Sequence, residues 1–177
     1  TDAQRGNVFG LSGDLRWQWG VDPNRFVLSG LLRGEVGEGD FSYQRALATV
    51  AVNRPLLAGT ALALEVGAGA AWGAPPLQKG FFLGGARTLR GFPPSGIQGS
   101  SFWMARSEVG TSLPAVRLVA FSDLGWAGPR AGFQKGKALW SAGGGFSLLD
   151  GIARLDFAWP LRGGSGMRFY AYLDGLF

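Results

Sequence analysis

Apolar and polar residues alternate over long stretches of this chain. In the segment from Val8 to Val21, the apolar residues on one face are Phe9, Leu11, Leu15, Trp17, Trp19 and Val21. The intervening positions carry small or polar residues, among them Gly10, Ser12, Asp14, Arg16 and Gln18. A period of two that lasts through the whole segment predicts a β-strand, and its length suits a tilted strand that crosses a membrane.

The alternation returns in about nine segments of roughly ten to fourteen residues, joined mostly by short turns. It is weakest in residues 41–54, where the pattern does not assign the two faces. It is interrupted by a long irregular connection over residues 73–100 and then resumes. Beyond that connection the charged and small face includes Arg106, Glu108, Arg117, Phe121, Asp123, Ser141, Gly143, Gly145, Arg154, Asp156, Arg168, Tyr170 and Tyr172.

The character of the two faces distinguishes a membrane barrel from a soluble sandwich. Charged side chains share their face with many Gly, Ala and Ser residues, which suggests an enclosed and tightly filled lumen. The opposite face carries Trp and Phe near strand ends, as an aromatic girdle does. The sequence therefore favours an all-β, antiparallel transmembrane β-barrel domain over residues 1–177, with a soluble all-β fold as the alternative. Since single-chain bacterial barrels have even strand numbers, about nine strands indicate the C-terminal part of a larger barrel, a dimerising half-barrel or a reduced barrel.

Composition narrows the function classes. The 177 residues include 31 glycines but neither cysteine nor histidine. The chain therefore has no disulfide or thiolate chemistry and lacks the commonest general base and metal ligand, which argues against an enzyme, a metal site or a cofactor. The net charge of +5 is spread along the strands, and this disfavours nucleic-acid binding. Because the chain starts at Thr1 and shows no signal peptide, we expect it to be processed or excised from something longer.

The stretch "GGARTLRGFPPSG" at residues 84–96 interrupts the strand pattern and admits more than one interpretation. A Gly- and Pro-rich stretch between strands is most often a surface loop. A phosphate-binding loop is excluded because no helical pattern follows Phe92. The remaining interpretation is a segment that holds one of its two arginines, Arg87 or Arg90, in place for a function.

The stretches "FFLGGARTLRGF", "RSEVGTSLP", "AFSDLGWAG" and "ARLDFAWPL" make residues 81–177 resemble the BamA-like superfamily of outer-membrane assembly and translocation barrels. The segment "FFLGGARTLRGF" followed by "SGIQG" is similar to that superfamily's inward-folded loop, with Gly84 and Gly85 ahead of the tetrad Leu89, Arg90, Gly91 and Phe92. "RSEVGTSLP", "AFSDLGWAG" and "ARLDFAWPL" resemble the strands that follow, in order. Over the first 72 residues the likeness is one of strand pattern alone.

The resemblance implies that the connection at 73–100 folds into the lumen and that Arg90 pairs with an acidic residue of the barrel wall. The first candidate is Asp123 of the Phe-x-Asp-x-Gly strand, in which Phe121 and Gly125 match, and the second is Glu108. The strand pattern independently places both carboxylates on the inward face. Whether such a pair is a structural latch or a conformational switch stays open, and Arg87 has no partner that the sequence names.

The resemblance also implies a function and a location. We expect an integral barrel of the Gram-negative outer membrane, with its C-terminus in the periplasm, that assists the insertion or secretion of client polypeptides. The terminal strand, with Phe169, Ala171, Leu173 and Phe177, is expected to be the outer-membrane insertion signal. Further expected partners are outer-membrane lipid and, as one alternative, a second copy that completes the wall. A passive membrane anchor or pore for a fused soluble domain is the alternative function.

Overall fold

The computed structural model describes residues 7–22, 25–56, 59–111, 116–148 and 153–173. Their strands are β1 (Val8–Trp19), β2 (Val27–Gly39), β3 (Tyr43–Pro55), β4 (Thr60–Gly73), β5 (Phe81–Leu83), β6 (Ile97–Gly99), β7 (Ser101–Thr111), β8 (Val116–Gly128), β9 (Leu139–Leu148), β10 (Ala153–Arg162) and β11 (Arg168–Leu173). Short 3₁₀ helices occupy Leu77–Lys79 and Arg130–Gly132. No helix among the described residues has the length and apolarity to cross a membrane.

Nine of these strands form one antiparallel sheet in the part of the chain that the structure describes. Its order is β1-β2-β3-β4-β7-β8-β9-β10-β11, so every strand pairs with the next one along the chain except where the long connection intervenes. The all-β antiparallel prediction is confirmed, including the strand number. In the described residues β1 and β11 stand at the two ends of the order and do not pair with each other.

The pairing register defines two faces, because directly opposed residues of antiparallel strands lie on the same side of the sheet. Arg106 opposes Asp123, and Asp123 in turn opposes Ser141, so these positions lie on one face, here called the inner face. The third segment, whose faces the sequence pattern left open, is assigned by Tyr43. The Tyr43 hydroxyl donates a hydrogen bond of 2.6 Å to Glu35 on the inner face. The opposite side is called the outer face.

The long connection is more ordered than an irregular loop. It contains the 3₁₀ turn at 77–79 and the small β5–β6 hairpin, which the sequence pattern did not predict. Lys79 is bound to Glu35 of β2, and the guanidinium of Arg45 lies 4.4 Å from the centroid of the Phe81 ring. The hydrogen bond from Lys79 to Glu35 raises the pKa of the lysine. The connection is thus fastened to the inner face of β2 and β3, in addition to the strands β4 and β7 that flank it in the chain.

An apolar cluster lies between this connection and the sheet. Its buried members are Ala71, Phe81, Leu83, Leu89, Phe92, Phe102 and Met104. The Phe81 and Phe102 rings meet at a centroid distance of 4.7 Å. Burying a Leu, Phe or Met side chain supplies about 1.5–3 kcal/mol, so this cluster helps to hold the connection on the sheet.

Candidate functional site on the inner face

Residues 84–92, here called the arginine loop, are folded tightly by local hydrogen bonds and glycine conformations. The Thr88 hydroxyl accepts a hydrogen bond of 2.9 Å from the Gly84 N–H and donates one of 3.0 Å to the Gly84 carbonyl. The Gly85 N–H donates to the Phe92 carbonyl at 3.1 Å and closes the loop. Gly84, Gly85 and Gly91 have φ angles of 111°, 93° and 87°, a region that side-chain-bearing residues rarely adopt. The glycines therefore permit the reversal that presents Arg90.

Arg90 is held by Asp123 through a bidentate ion pair. Its Nε lies 2.7 Å from Asp123 Oδ2 and its Nη2 lies 2.7 Å from Asp123 Oδ1, and its backbone N–H also donates to Oδ2 at 3.1 Å. Arg90 is 1% exposed and Asp123 is not exposed at all. Burial by itself would lower the pKa of Arg90, but the hydrogen bonds and charge of Asp123 outweigh it and raise that pKa. The guanidinium therefore remains charged in this enclosed position.

The remaining guanidinium nitrogen of Arg90 faces two further carboxylates. Nη1 lies 3.1 Å from Glu108 Oε2 and 3.4 Å from Asp156 Oδ2. The guanidinium carbon also sits 3.5 Å from the centroid of the Phe121 ring, where the negative face of the ring attracts it. The structure thus brings Arg90 together with both acidic residues named from the sequence, and it adds Asp156, which the sequence had placed on the inward face without a role.

The neighbours of Arg90 in the tetrad fill the space on either side. Leu89 is fully buried and Phe92 is 3% exposed, both in the apolar cluster. A Cβ at Gly125 would lie 3.2 Å from Leu83 Cδ1 and 3.6 Å from Leu89 Cδ1, so a glycine there leaves room for the packed loop. A Cβ at Gly91 would approach Ser141 Cβ to 3.1 Å and the Pro160 nitrogen to 3.2 Å. The arginine loop therefore fits closely against β8, β9 and β10.

A second arginine completes the charge network. Arg154 of β10 donates hydrogen bonds of 2.8 Å and 2.7 Å to the two oxygens of Glu108 and one of 2.9 Å to Asp156. The Tyr172 hydroxyl donates to Asp156 at 2.9 Å. Alternation had placed Arg154, Asp156 and Glu108 on the inward face, but spacing along separate strands could not show that Arg154 binds both carboxylates. These contacts leave Glu108 and Asp156 each shared between two arginines.

Arg106 of β7 supports the backbone of the arginine loop. Its guanidinium donates to the carbonyls of Arg87 and Ala86 at 3.0 Å and 3.2 Å and binds Glu65 at 3.0 Å. Arg87, for which the sequence named no partner, contributes its carbonyl group here while its side chain is exposed. Arg106 therefore holds the first half of the loop, and Asp123 holds the second half.

The last strand reaches the loop through its inward side chains. The Tyr170 hydroxyl accepts a hydrogen bond of 3.0 Å from the Gly91 N–H and donates one of 3.1 Å to the Phe92 carbonyl. Arg168 Nε donates to the Gly91 carbonyl at 3.1 Å. Of the residues predicted as the insertion signal, Phe169, Ala171 and Leu173 are exposed on the outer face, and Phe177 lies outside the described residues. The inward side chains of β11 thus have partners in the loop that the sequence did not reveal.

Comparison with known proteins identifies the fold family. Residues 4–170 match the Omp85 superfamily domain. The chain belongs to the Omp85 superfamily. Members of this superfamily are transmembrane β-barrels of the Gram-negative outer membrane that insert or transport proteins, which confirms the resemblance seen in the sequence. No curated protein sequence matches the chain.

Two solved structures show the same Omp85 fold. One is BamA from Haemophilus ducreyi lacking POTRA domains 1–3, with a TM-score of 0.72 and 16% identity over 90% of this chain and 40% of that one. The other is CdiB from Acinetobacter baumannii, with a TM-score of 0.64 and 17% identity over 94% of this chain and 31% of that one. The chain thus spans less than half the length of either protein.

Proposed function

We propose that this chain is the C-terminal wall of an Omp85 barrel that assists the insertion or secretion of other polypeptides, with the arginine loop latched on its inner face. The observation that carries the proposal is the buried pair of Arg90 and Asp123. Taking two charges out of water is costly, and a hydrophobic pair of similar volume often stabilises a protein as well or better. A passive anchor has no need of such a pair, whereas a loop that must be held in one position does.

The strand order supports completion of the wall by further strands of the same polypeptide. In an antiparallel series of nine, β1 and β11 run in the same direction. A closed wall that is antiparallel throughout therefore needs an odd number of additional strands between them. A second copy of this chain around a common axis would instead create parallel junctions at both seams. The proposal therefore favours preceding strands over a second copy.

The proposed orientation has the C-terminus in the periplasm. The connections at 74–100 and 129–138, the two longest between neighbouring strands of the sheet, then lie on the outer side. Bacterial barrels carry their longer loops on this side. Client polypeptides would be recognised by pairing of an extended segment with a free strand edge, as in other β-augmentation complexes.

The proposal is tested by placing the full-length protein in lipid vesicles and measuring the folding of an added, urea-denatured outer-membrane protein. Arg90→Ala should slow client folding strongly, because Asp123 and its neighbours lose their central cation. Arg87→Ala, which removes an exposed arginine from the same loop, is the matched control and should fold the client at the wild-type rate. A wild-type protein that inserts correctly but does not accelerate folding of the client would favour the passive anchor. An Arg90→Ala variant that accelerates client folding as much as wild type would refute the latch.

A further inference from the structure

The outer face carries a group of tryptophans toward the ends of β4, β7, β8, β9 and β10. Trp103 and Trp126 are directly opposed on neighbouring strands. Trp140 opposes Leu124 on the next strand, and Trp72, Trp140 and Trp159 are 41%, 43% and 48% exposed. All five lie toward the end of the sheet that carries the 129–138 connection. Tryptophan prefers the boundary between lipid tails and headgroups, so this end marks one membrane surface.

A register shift turns an arginine outward into this group. Up to Pro160, which opposes Ser141, the inner-face residues of β10 and β9 pair regularly. The shift between Pro160 and Arg162 then sets Arg162 opposite Trp140, on the outer face. Without the extra residue, Arg162 would share the inner face with Leu139. The bulge therefore places a guanidinium beside an outward tryptophan at the strand end, in keeping with the way bulges re-aim side chains.

The connection after β8 adds more cations at this end of the sheet, which is here called the rim. It folds back over Trp126, which is only 8% exposed although it lies on the outer face, and Phe133 meets that ring edge-on at 6.1 Å. Positions Gly132 and Gly136 lie against the indole. Arg130 Cζ sits 5.6 Å from the centroid of the Trp72 ring. Lys135 and Lys137 are exposed in the same connection.

These cations have no carboxylate partners in the described part of the chain. The described acidic residues after Glu65 are Glu108, Asp123 and Asp156, and all three are engaged by arginines on the inner face. Among the described residues, Lys135, Lys137 and Arg162 form no ion pair and no side-chain hydrogen bond. The rim is therefore a positive surface at headgroup depth that is not neutralised by an ion pair with any carboxylate of the described residues.

We infer that this rim, formed by Arg130, Lys135, Lys137 and Arg162 among the tryptophans, binds the phosphates of a bisphosphorylated glycolipid in the outer leaflet. Several cations at one depth suit a headgroup with two phosphates, and each Lys or Arg near an anionic lipid surface contributes about 1 kcal/mol. The indole rings flank the cations and would contact the sugar and the upper acyl chains. The choice of leaflet rests on the proposed orientation.

Native mass spectrometry of the full-length protein tests this inference. The protein is released from nanodiscs of phosphatidylcholine containing either bisphosphorylated lipid A or phosphatidylglycerol. Wild type should retain lipid A, and Lys137→Ser with Arg162→Ser should weaken its retention about tenfold or more. Arg54→Ser, which removes an exposed arginine from the far end of β3, is the matched control and should retain lipid A as wild type does.

Two outcomes would overturn the inference. One is equal retention of lipid A by the Lys137→Ser, Arg162→Ser variant and wild type. The other is equal retention of phosphatidylglycerol and lipid A by wild type, which would show a site for any anionic headgroup. A variant with Lys135→Ser and Lys137→Ser leaves the strands untouched, so a reduced retention in it cannot come from misfolding of β10. Neither result depends on whether the protein folds clients.

Discussion

Arg90 and Asp123 share two parallel hydrogen bonds of 2.7 Å at a place where neither side chain reaches solvent. One residue comes from a loop and the other from the middle of β8, 33 positions later. Three further groups, Glu108, Asp156 and the Phe121 ring, surround the same guanidinium. This arrangement makes Arg90 the point at which the loop is bound to three strands of the wall.

Asp123→Asn should release the arginine loop while leaving the strand intact. The amide keeps the shape of the carboxylate but removes its charge and one acceptor, so a buried cation loses its main partner at a cost of about 3–5 kcal/mol. Limited proteolysis of the folded protein should then cut within residues 80–100. A cleavage pattern identical to that of wild type would contradict the prediction.

Exchange of the two charges should repair this defect in part at best. Arg90→Asp combined with Asp123→Arg would restore one opposite-charge pair. It would also set a carboxylate at position 90 close to Glu108 and Asp156, which lie 3.1 Å and 3.4 Å from the present guanidinium. We therefore expect the double variant to stay more protease-sensitive than wild type. Full protection would show that Glu108 and Asp156 contribute little.

Removal of Arg154 should lower the stability of the barrel, and the additional removal of one carboxylate should restore part of that stability. In Arg154→Met the carboxylates of Glu108 and Asp156 keep only Arg90 as a shared cation. The variant Arg154→Met with Glu108→Gln restores the charge balance, and we expect it to unfold at a higher temperature than Arg154→Met alone. The unfolding temperature is measured as the temperature at which the protein changes from its folded to its unfolded migration on gel electrophoresis. Equal melting of the two variants would argue against charge balance as the cause.

Gly91→Ala should displace the loop because the site lacks room and the backbone is unsuited to alanine. The φ of 87° costs a side-chain-bearing residue about 1–2 kcal/mol, and the new methyl group would press on Ser141 and Pro160. Hydrogen exchange of residues 84–92 should accelerate. Gly13→Ala is the matched control, since its Cβ would meet nothing within 4 Å, and it should leave the exchange unchanged.

Tyr170→Phe tests the link between the loop and the last strand. The hydroxyl serves both the Gly91 N–H and the Phe92 carbonyl. Its loss should cost about 1–3 kcal/mol by leaving the Gly91 N–H unpaired, whereas the Phe92 carbonyl keeps its hydrogen bond from Gly85. Amide hydrogen exchange should become faster in residues 84–92 and in β11 together. Tyr43→Phe removes a comparable hydroxyl bond, to Glu35, and should affect neither segment. Faster exchange in β11 alone would show that the Tyr170 hydroxyl does not hold the arginine loop.

The sequence by itself predicted the nine long strands and most of their faces, and its resemblance to a known family implied two of the three carboxylates that contact Arg90. Alternation with a period of two is a local property, so it survives in any strand that separates an apolar from a polar environment. It placed Glu108, Asp123, Arg154 and Tyr170 on one face. It failed in residues 41–54, where small apolar residues occur on both faces, and in the connection after β4, where it missed the β5–β6 hairpin.

Only the tertiary structure decided which of the inward groups meet. The contacts of Arg90 span sequence separations from 18 to 66 residues, and those of Tyr170 with the loop reach 79. Distances of this kind depend on strand register and on how the long connection lies across the sheet. The bulge before Arg162 is a further example, because one extra residue moves a guanidinium from the inner face to the outer face. A pattern along the chain specifies the side on which a residue belongs, whereas register and packing choose its partner.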